Sequence, residues 1–406
     1  MRISRRTVFW GAAAAAAGLA GYGGLRFGRR RKLIPVVAST PIADGFRMPG
    51  EFEPQEAVWL VWPETPEWRM QGRPAQEVVA ELATAIAGDI PVRLAATAGQ
   101  ATRARSMVAE AVELVETKAG TGWIRDDGPT FLIDDGGRRR GVDWDFNAWG
   151  YAGQSRFSKN FASYWANDSN EAAQRILDHE KADCYRAPLV LEGGSIHSDG
   201  HGTIITTEEC LLNPNRNPLL DKEQIEGYLK SHLGAKKVIW LPQGVFKDVT
   251  SGHVDNLCCF VRPSEVLLTW TDDSKDPQYE RSHRALEALE ATTDANGSRF
   301  AVHKLLQPGP LYMSEEERDS FPQWIVEEFA WTEGRLAGSY VNFVLTNRRV
   351  IYPLLDPETD PGARETLARA FPEHEVIGLE SREILLHGGD LHCISQQVPA
   401  RSGFAS

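Results

Sequence analysis

The 406 residues include 44 lysines and arginines against 56 aspartates and glutamates, with 42% hydrophobic and 25% charged residues. That balance excludes a disordered or fibrous chain and a polytopic membrane protein, and a net charge of −12 argues against a nucleic-acid binder. Eight of the basic residues fall within residues 1–32, which hold no acid, so the remainder carries 36 against 56, a formal charge of −20 that suits cationic small molecules or plain solubility.

Ser4, Arg5, Arg6, Thr7, Val8 and Phe9, followed by the Ala/Gly-rich stretch from Trp10 to Leu25, have the form of a twin-arginine export signal. Residues 1–40 are therefore expected to be export signal and basic linker. The twin-arginine machinery would be a partner, and the destination the periplasm, either free or membrane-anchored. Residues 41–406 are expected to fold as one domain, because no low-complexity linker interrupts them.

Past the Pro/Gly-rich entry MPGEFEP, AVWLVWP reads as a strand, 74–87 as an amphipathic helix and PVRLAAT as a second strand. A theme then recurs. Residues 129–146 read as a hairpin with a helix over 169–182. Residues 194–212 read as a hairpin about Asp199-Gly200, with a helix over 221–233 and the strand KVIWLP. Residues 253–270 turn at Arg262-Pro263 and lead to a helix over 277–293 and FAVHKLL; residues 340–355 turn at Asn347-Arg348 and lead to a helix over 359–370 and EVIGL. Such a unit cannot bury its apolar face alone, so four or five of them predict a repetitive α/β assembly closed into a ring.

Polar motifs stand where the units begin: Arg125-Asp126-Asp127-Gly128-Pro129, Glu192-Gly193-Gly194, Gly252-His253-Val254-Asp255-Asn256, and Gly388-Gly389-Asp390-Leu391-His392-Cys393. In a ring, equivalent positions converge on the axis. Strand alternation would place His253 and Asp255 on one face and send His392 and Cys393 apart, making His253 the better acid/base partner of a thiol. The five cysteines, at 184, 210, 258, 259 and 393, are odd in number and irregular in spacing, which indicates neither a disulfide framework nor a zinc knuckle. Cys258 and Cys259 in LCCFV read as buried strand residues.

The stretches MPGEFEPQE, WIRDDGPT, GVDWDFNAWG, LEGGSIH, TTEECLLNPNRNP, GHVDNLCCF, TWTDDSKDPQYE, SYVNF and GGDLHCISQQ resemble the agmatine deiminase family, within the guanidine-modifying superfamily that includes the Porphyromonas-type peptidylarginine deiminases. The similarity runs from about Met48 to Pro399. It implies a five-bladed pseudo-symmetric α/β propeller (a pentein) and a hydrolase of polyamine metabolism that converts agmatine to N-carbamoylputrescine, a step of putrescine biosynthesis, with neither metal nor cofactor. By the same resemblance Cys393 is the nucleophile, with His253 and Glu192 catalytic, Asp126 and Asp255 the guanidinium-binding acids and Trp123 a wall of the substrate channel. The chain departs from the family in Asp390 beside the nucleophile, Asp127 after the motif aspartate, and Tyr151.

The chemistry fits these residue types. A guanidinium stays protonated, so its site needs paired carboxylates, and a thiol needs an imidazole or a cationic substrate to become a thiolate. The expected partner is a small guanidine, held in an acid-rich cavity beside Trp123 that accepts agmatine's second cation; self-association is left open. Other readings are a peptidylarginine or free-arginine deiminase, an amidinotransferase, and a catalytically silent binding propeller. A metal site at His197, Asp199 and His201 is less well supported than a hairpin turn in SDGHG.

Overall fold

The structure is a computed structural model that describes residues 32–151, 159–323, 325–326 and 334–401; the expected export signal at residues 4–25 lies outside the described residues. Five long helices, α1 (Arg73–Ala87), α2 (Lys159–His179), α3 (Lys222–Leu233), α4 (Gln278–Glu290) and α5 (Asp360–Ala370), each serve one module. In every module the second strand of an antiparallel pair leads into the helix, and the next strand returns parallel to it.

The first module pairs Thr130–Asp134 with Arg139–Asp145 and returns through α2 to Asp183–Val190. The second uses Ile196–Ser198, Thr203–Thr207 and Lys237–Leu241; the third Cys258–Arg262, Glu265–Trp270 and Ala301–Leu306; the fourth Val344–Leu345, Arg349–Leu354 and Glu375–Glu380. The fifth is assembled from distant parts of the chain. Ser395–Pro399 pairs antiparallel with Gln55–Val61, which continues through α1 to the parallel Val92–Ala96, with Glu113–Glu116 at the edge. Five small sheets rather than one large one make this the expected five-bladed α/β propeller.

Local chemistry explains the helices. Pro74 opens α1, whose residues Val78, Val79, Leu82, Ala83 and Ile86 are buried at helical spacing. Each large aliphatic there contributes about 1.5–3 kcal/mol by leaving water. Asp221 and Gln224 close a capping box on α3, and Gly234, at φ 66°, ends it.

Two boundaries differ from expectation. Helix α2 begins at Lys159 rather than near 169. The reason is tertiary: Asn170 spends its amide on Phe146, accepting from its N–H at 3.0 Å and donating to its carbonyl at 2.9 Å. The second hairpin stops at Thr207, whose hydroxyl caps a single helical turn, Glu208–Leu211, and so places Cys210 inward.

Candidate active site

Each module begins with one tight backbone turn just before its hairpin, closed by an i+3 amide. These bonds run from Asp126 N to Trp123 O, Ser195 N to Glu192 O, Leu257 N to Val254 O, Asn342 N to Ser339 O, and Ser395 N to His392 O. The turns are what carry the polar motifs to a common point, and they correct the strand-alternation expectation. Val254–Asn256 is a 3-10 turn, not strand. His392 and Cys393 consequently do not diverge: His392 Nδ1 lies 2.9 Å, and Cys393 Sγ 3.6 Å, from the same oxygen, Asp255 Oδ2.

The six expected site residues come together. Asp126 Oδ1 stands 3.7 Å from His253 Nδ1, and His253 Nε2 stands 3.5 Å from Glu192 Oε2, both longer than closed hydrogen bonds. Between them sits Gly194, where an added Cβ would fall 2.7 Å from Asp255 Oδ2, 2.7 Å from His253 Nδ1 and 2.8 Å from Asp126 Oδ1. Its bare backbone lets the two carboxylates and the imidazole face one point. Gly389 does the same for the wall, since its Cβ would strike the Trp123 ring at 2.5 Å and Cys393 Sγ at 3.2 Å. Trp123, backed by Trp68 at 5.4 Å between ring centroids, lines a channel with Trp149, Tyr151, Val249 and His387, above Asp126 and Cys393.

The electrostatics are uneven. Burial pushes Asp126 up to about 6 although His253 pulls the other way; its hydrogen-bond donors are Trp149 Nε1 at 2.8 Å and Gly194 N at 3.0 Å. Burial also opposes ionisation of Asp255, but its bond to His392 holds it below the usual carboxylate range. Burial disfavours protonated His253, yet Asp126 and the neighbouring Glu192 hold it well above an ordinary histidine. Burial, with Asp255 and Asp126 facing it, drives the Cys393 thiol well up. All five cysteines are free and buried, so these neighbours, and not burial, set Cys393 apart.

Sequence reasoning missed several groups. Asn342, at the head of the fourth module in SYVNF, donates from Nδ2 to Cys393 Sγ at 3.2 Å and accepts the His392 N–H at 3.0 Å. Its position just before a hairpin was the available signal. Arg216, wholly buried, donates from Nε to Glu192 Oε1 at 2.8 Å, and Cys210 Sγ lies 4.0 Å from Glu192 Oε2. Glu51 takes His392 Nε2 at 3.0 Å and Arg125 at 3.0 Å. Asp390 is buried and absent from the channel lining, and burial lifts its carboxyl well above the usual range.

Ligand atoms of Glu51, His197 and His392, and of Glu192, Cys210 and His253, lie close enough to hold a metal. Each carboxylate, however, already carries an arginine: Arg125 on Glu51 and Arg216 on Glu192. In the SDGHG turn, Asp199 Oδ1 accepts from the amides of His201 and Thr203, as hairpin chemistry requires.

Residues 47–399 match the Porphyromonas-type peptidyl-arginine deiminase family. The agmatine deiminase of Pseudomonas putida is 51% identical over 365 residues, spanning 89% of this chain and 98% of its own. That of Pseudomonas aeruginosa is 52% identical over 367 residues, with the same two shares. The solved structure of the Enterococcus faecalis agmatine deiminase aligns with a TM-score of 0.81 at 40% identity, covering 90% of this chain and 99% of that one. On both sequence and fold, the chain belongs to the agmatine deiminase family, within the Porphyromonas-type peptidyl-arginine deiminases.

Proposed function

We propose that the protein hydrolyses the guanidinium group of agmatine to N-carbamoylputrescine and ammonia through a covalent amidino-cysteine. The observation that carries this reading is the point beside Gly194, where two buried carboxylates, an imidazole and, across Asp255, the Cys393 sulfur surround a space only a glycine leaves open. Asp255 Oδ1 is buried there without a hydrogen-bond partner, as a group awaiting a donor would be.

Asp126 and Asp255 hold the planar cation through charge-assisted hydrogen bonds. Its charge offsets the carboxylates that keep Cys393 protonated, so the thiol gives up its proton to solvent along the channel, and the thiolate then forms a bond to the central carbon. The protonated His253 gives its proton to the departing nitrogen, the carbon–nitrogen bond breaks, and ammonia leaves an amidino-thioether. His253, now neutral, takes a proton from water as the oxygen attacks; the carbon–sulfur bond breaks and a ureido product is released. Glu192, fixed by Arg216, holds the imidazole in place between the steps.

Acid quench of turning-over enzyme, followed by peptide mass spectrometry, should find the amidino mass on Cys393. An adduct on another cysteine, or ammonia release with none, would sink the assignment. Export by the twin-arginine route is likewise a proposal, supported by the Ser4–Phe9 pattern ahead of an apolar stretch. Arg5→Lys with Arg6→Lys should abolish periplasmic recovery; unchanged fractionation would point to another route.

A further inference from the structure

We infer that Val249 and the ring faces of Trp123, Trp149 and Tyr151 select the substrate's tail, so that guanidines with an uncharged alkyl tail are taken within about thirtyfold of those ending in an ammonium. This rests on the guanidine-hydrolase reading above and concerns the other end of the same molecule. It also revises the expected acid-rich cavity. The acids lie on the floor; above Asp126 and Cys393 the described wall is made of rings, glycines, Thr250 and Val249.

Among the described residues, Asp248 and Glu383, which adjoin that wall, are already paired. Asp248, the neighbour of Val249, faces inward and accepts from the Thr250 hydroxyl at 2.6 Å and the His253 amide at 3.0 Å. Glu383 is engaged by Arg69 Nε at 2.6 Å, and the Arg69 amide points at His387 Nε2. The His387 ring is packed against Trp68 at 4.4 Å and Phe321 at 4.6 Å. Burial lowers it to about 3, so it is neutral toward any tail.

The wall is also built tightly. Tyr151 donates its hydroxyl to the Val249 carbonyl at 3.0 Å, and Gly388, at φ 94°, leaves only hydrogen where a Cβ would meet Val249 Cγ2 at 2.5 Å. Val249 is thus held in the channel lining beside Tyr151. Those faces favour a cation by about thirtyfold at most, whereas a buried carboxylate partner would discriminate by two or more orders of magnitude.

The test compares kcat/KM for agmatine with that for n-butylguanidine, which has the same carbon chain and no amine. Wild type should favour agmatine by less than about thirtyfold. Val249→Glu should raise that ratio at least about tenfold, while Val249→Thr, of similar size and uncharged, should leave it unchanged. A wild-type preference above thirtyfold, or a Val249→Glu enzyme whose ratio stays put, overturns the inference while the deiminase reading stands. Ammonia release from neither compound overturns the deiminase reading and this inference with it.

Discussion

The two carboxylates that face the reacting point have opposite surroundings. Asp126 is held by an indole and a backbone amide, both neutral donors, and burial lifts it to about 6. Asp255, equally buried, is bonded to His392, which Glu51 grips from the far side, so Asp255 stays below its normal range. The lesson is that depth alone does not decide a carboxylate's charge; the charge of its donor does. One acid is a standing anion, and the other becomes one only above about pH 6.

The largest expected effect removes what the pair serves. Cys393→Ser should lower kcat by at least about a thousandfold with an unchanged thermal midpoint, because a hydroxyl is not ionised by a bound cation. Retention of near-wild-type turnover would mean that the acids serve another nucleophile.

Replacing each acid separately divides the comparison. Asp255→Asn should cut kcat/KM by about a hundredfold or more and keep an acid limb, moved below pH 6 because the Asp255 charge is one cause of the lift on Asp126. Asp126→Asn should also be impaired but lose that limb. The sign follows from the raised pKa: the ionised form needed for binding is lost as pH falls through about 6. Identical profiles for the two variants would contradict the asymmetry.

Glu51→Gln reaches only one side. It removes a carboxylate that raises the His392 pKa and should raise KM about tenfold, with kcat less affected, through a poorer hold on the guanidinium. The Glu51→Gln effect should vanish in a His392→Gln background; a persisting effect would show that Glu51 acts elsewhere.

The smallest effect concerns stability alone. Asp127, next to Asp126 and buried, is lifted to about 7, while Thr121 donates to its Oδ2 at 3.1 Å. A folded pKa above the unfolded value means that stability falls as pH rises from about 4 to 7. Asp127→Asn should therefore raise the melting temperature at pH 8, by up to about 4 kcal/mol in free energy, and change little at pH 4. Equal melting shifts at both values would show that the group is not neutral at low pH.

Much of this was legible in the chain. Turn dipeptides between apolar runs gave the hairpins, and their recurrence before helices gave the ring. The resemblance blocks supplied Cys393, His253, Glu192, Asp126, Asp255 and Trp123, which the fold gathers together. Asn342 escaped because an asparagine in an apolar run looks like packing until the fourth module is aligned with the others. His392 escaped because strand alternation was applied to residues that form a turn. Arg216 and Glu51 could not be found by spacing, since Arg216 reaches Glu192 only when the second module folds back on its own leading turn, and Glu51 reaches His392 only when the two distant segments of the fifth module pair.

That closure ties chemistry to the order in which the chain is made. The strand sealing the ring, Ser395–Pro399, pairs with Gln55–Val61 from the opposite end of the fold, and the reacting sulfur lies two residues before it. A nascent chain with four blades already present has carboxylates and imidazole but no sulfur beside them, and joining such distant segments is the slow, entropically opposed step. The ribosome thus delivers the nucleophile and the seal together, so a truncated or half-folded product, lacking the sulfur beside its acids and imidazole, is inert, not merely less active.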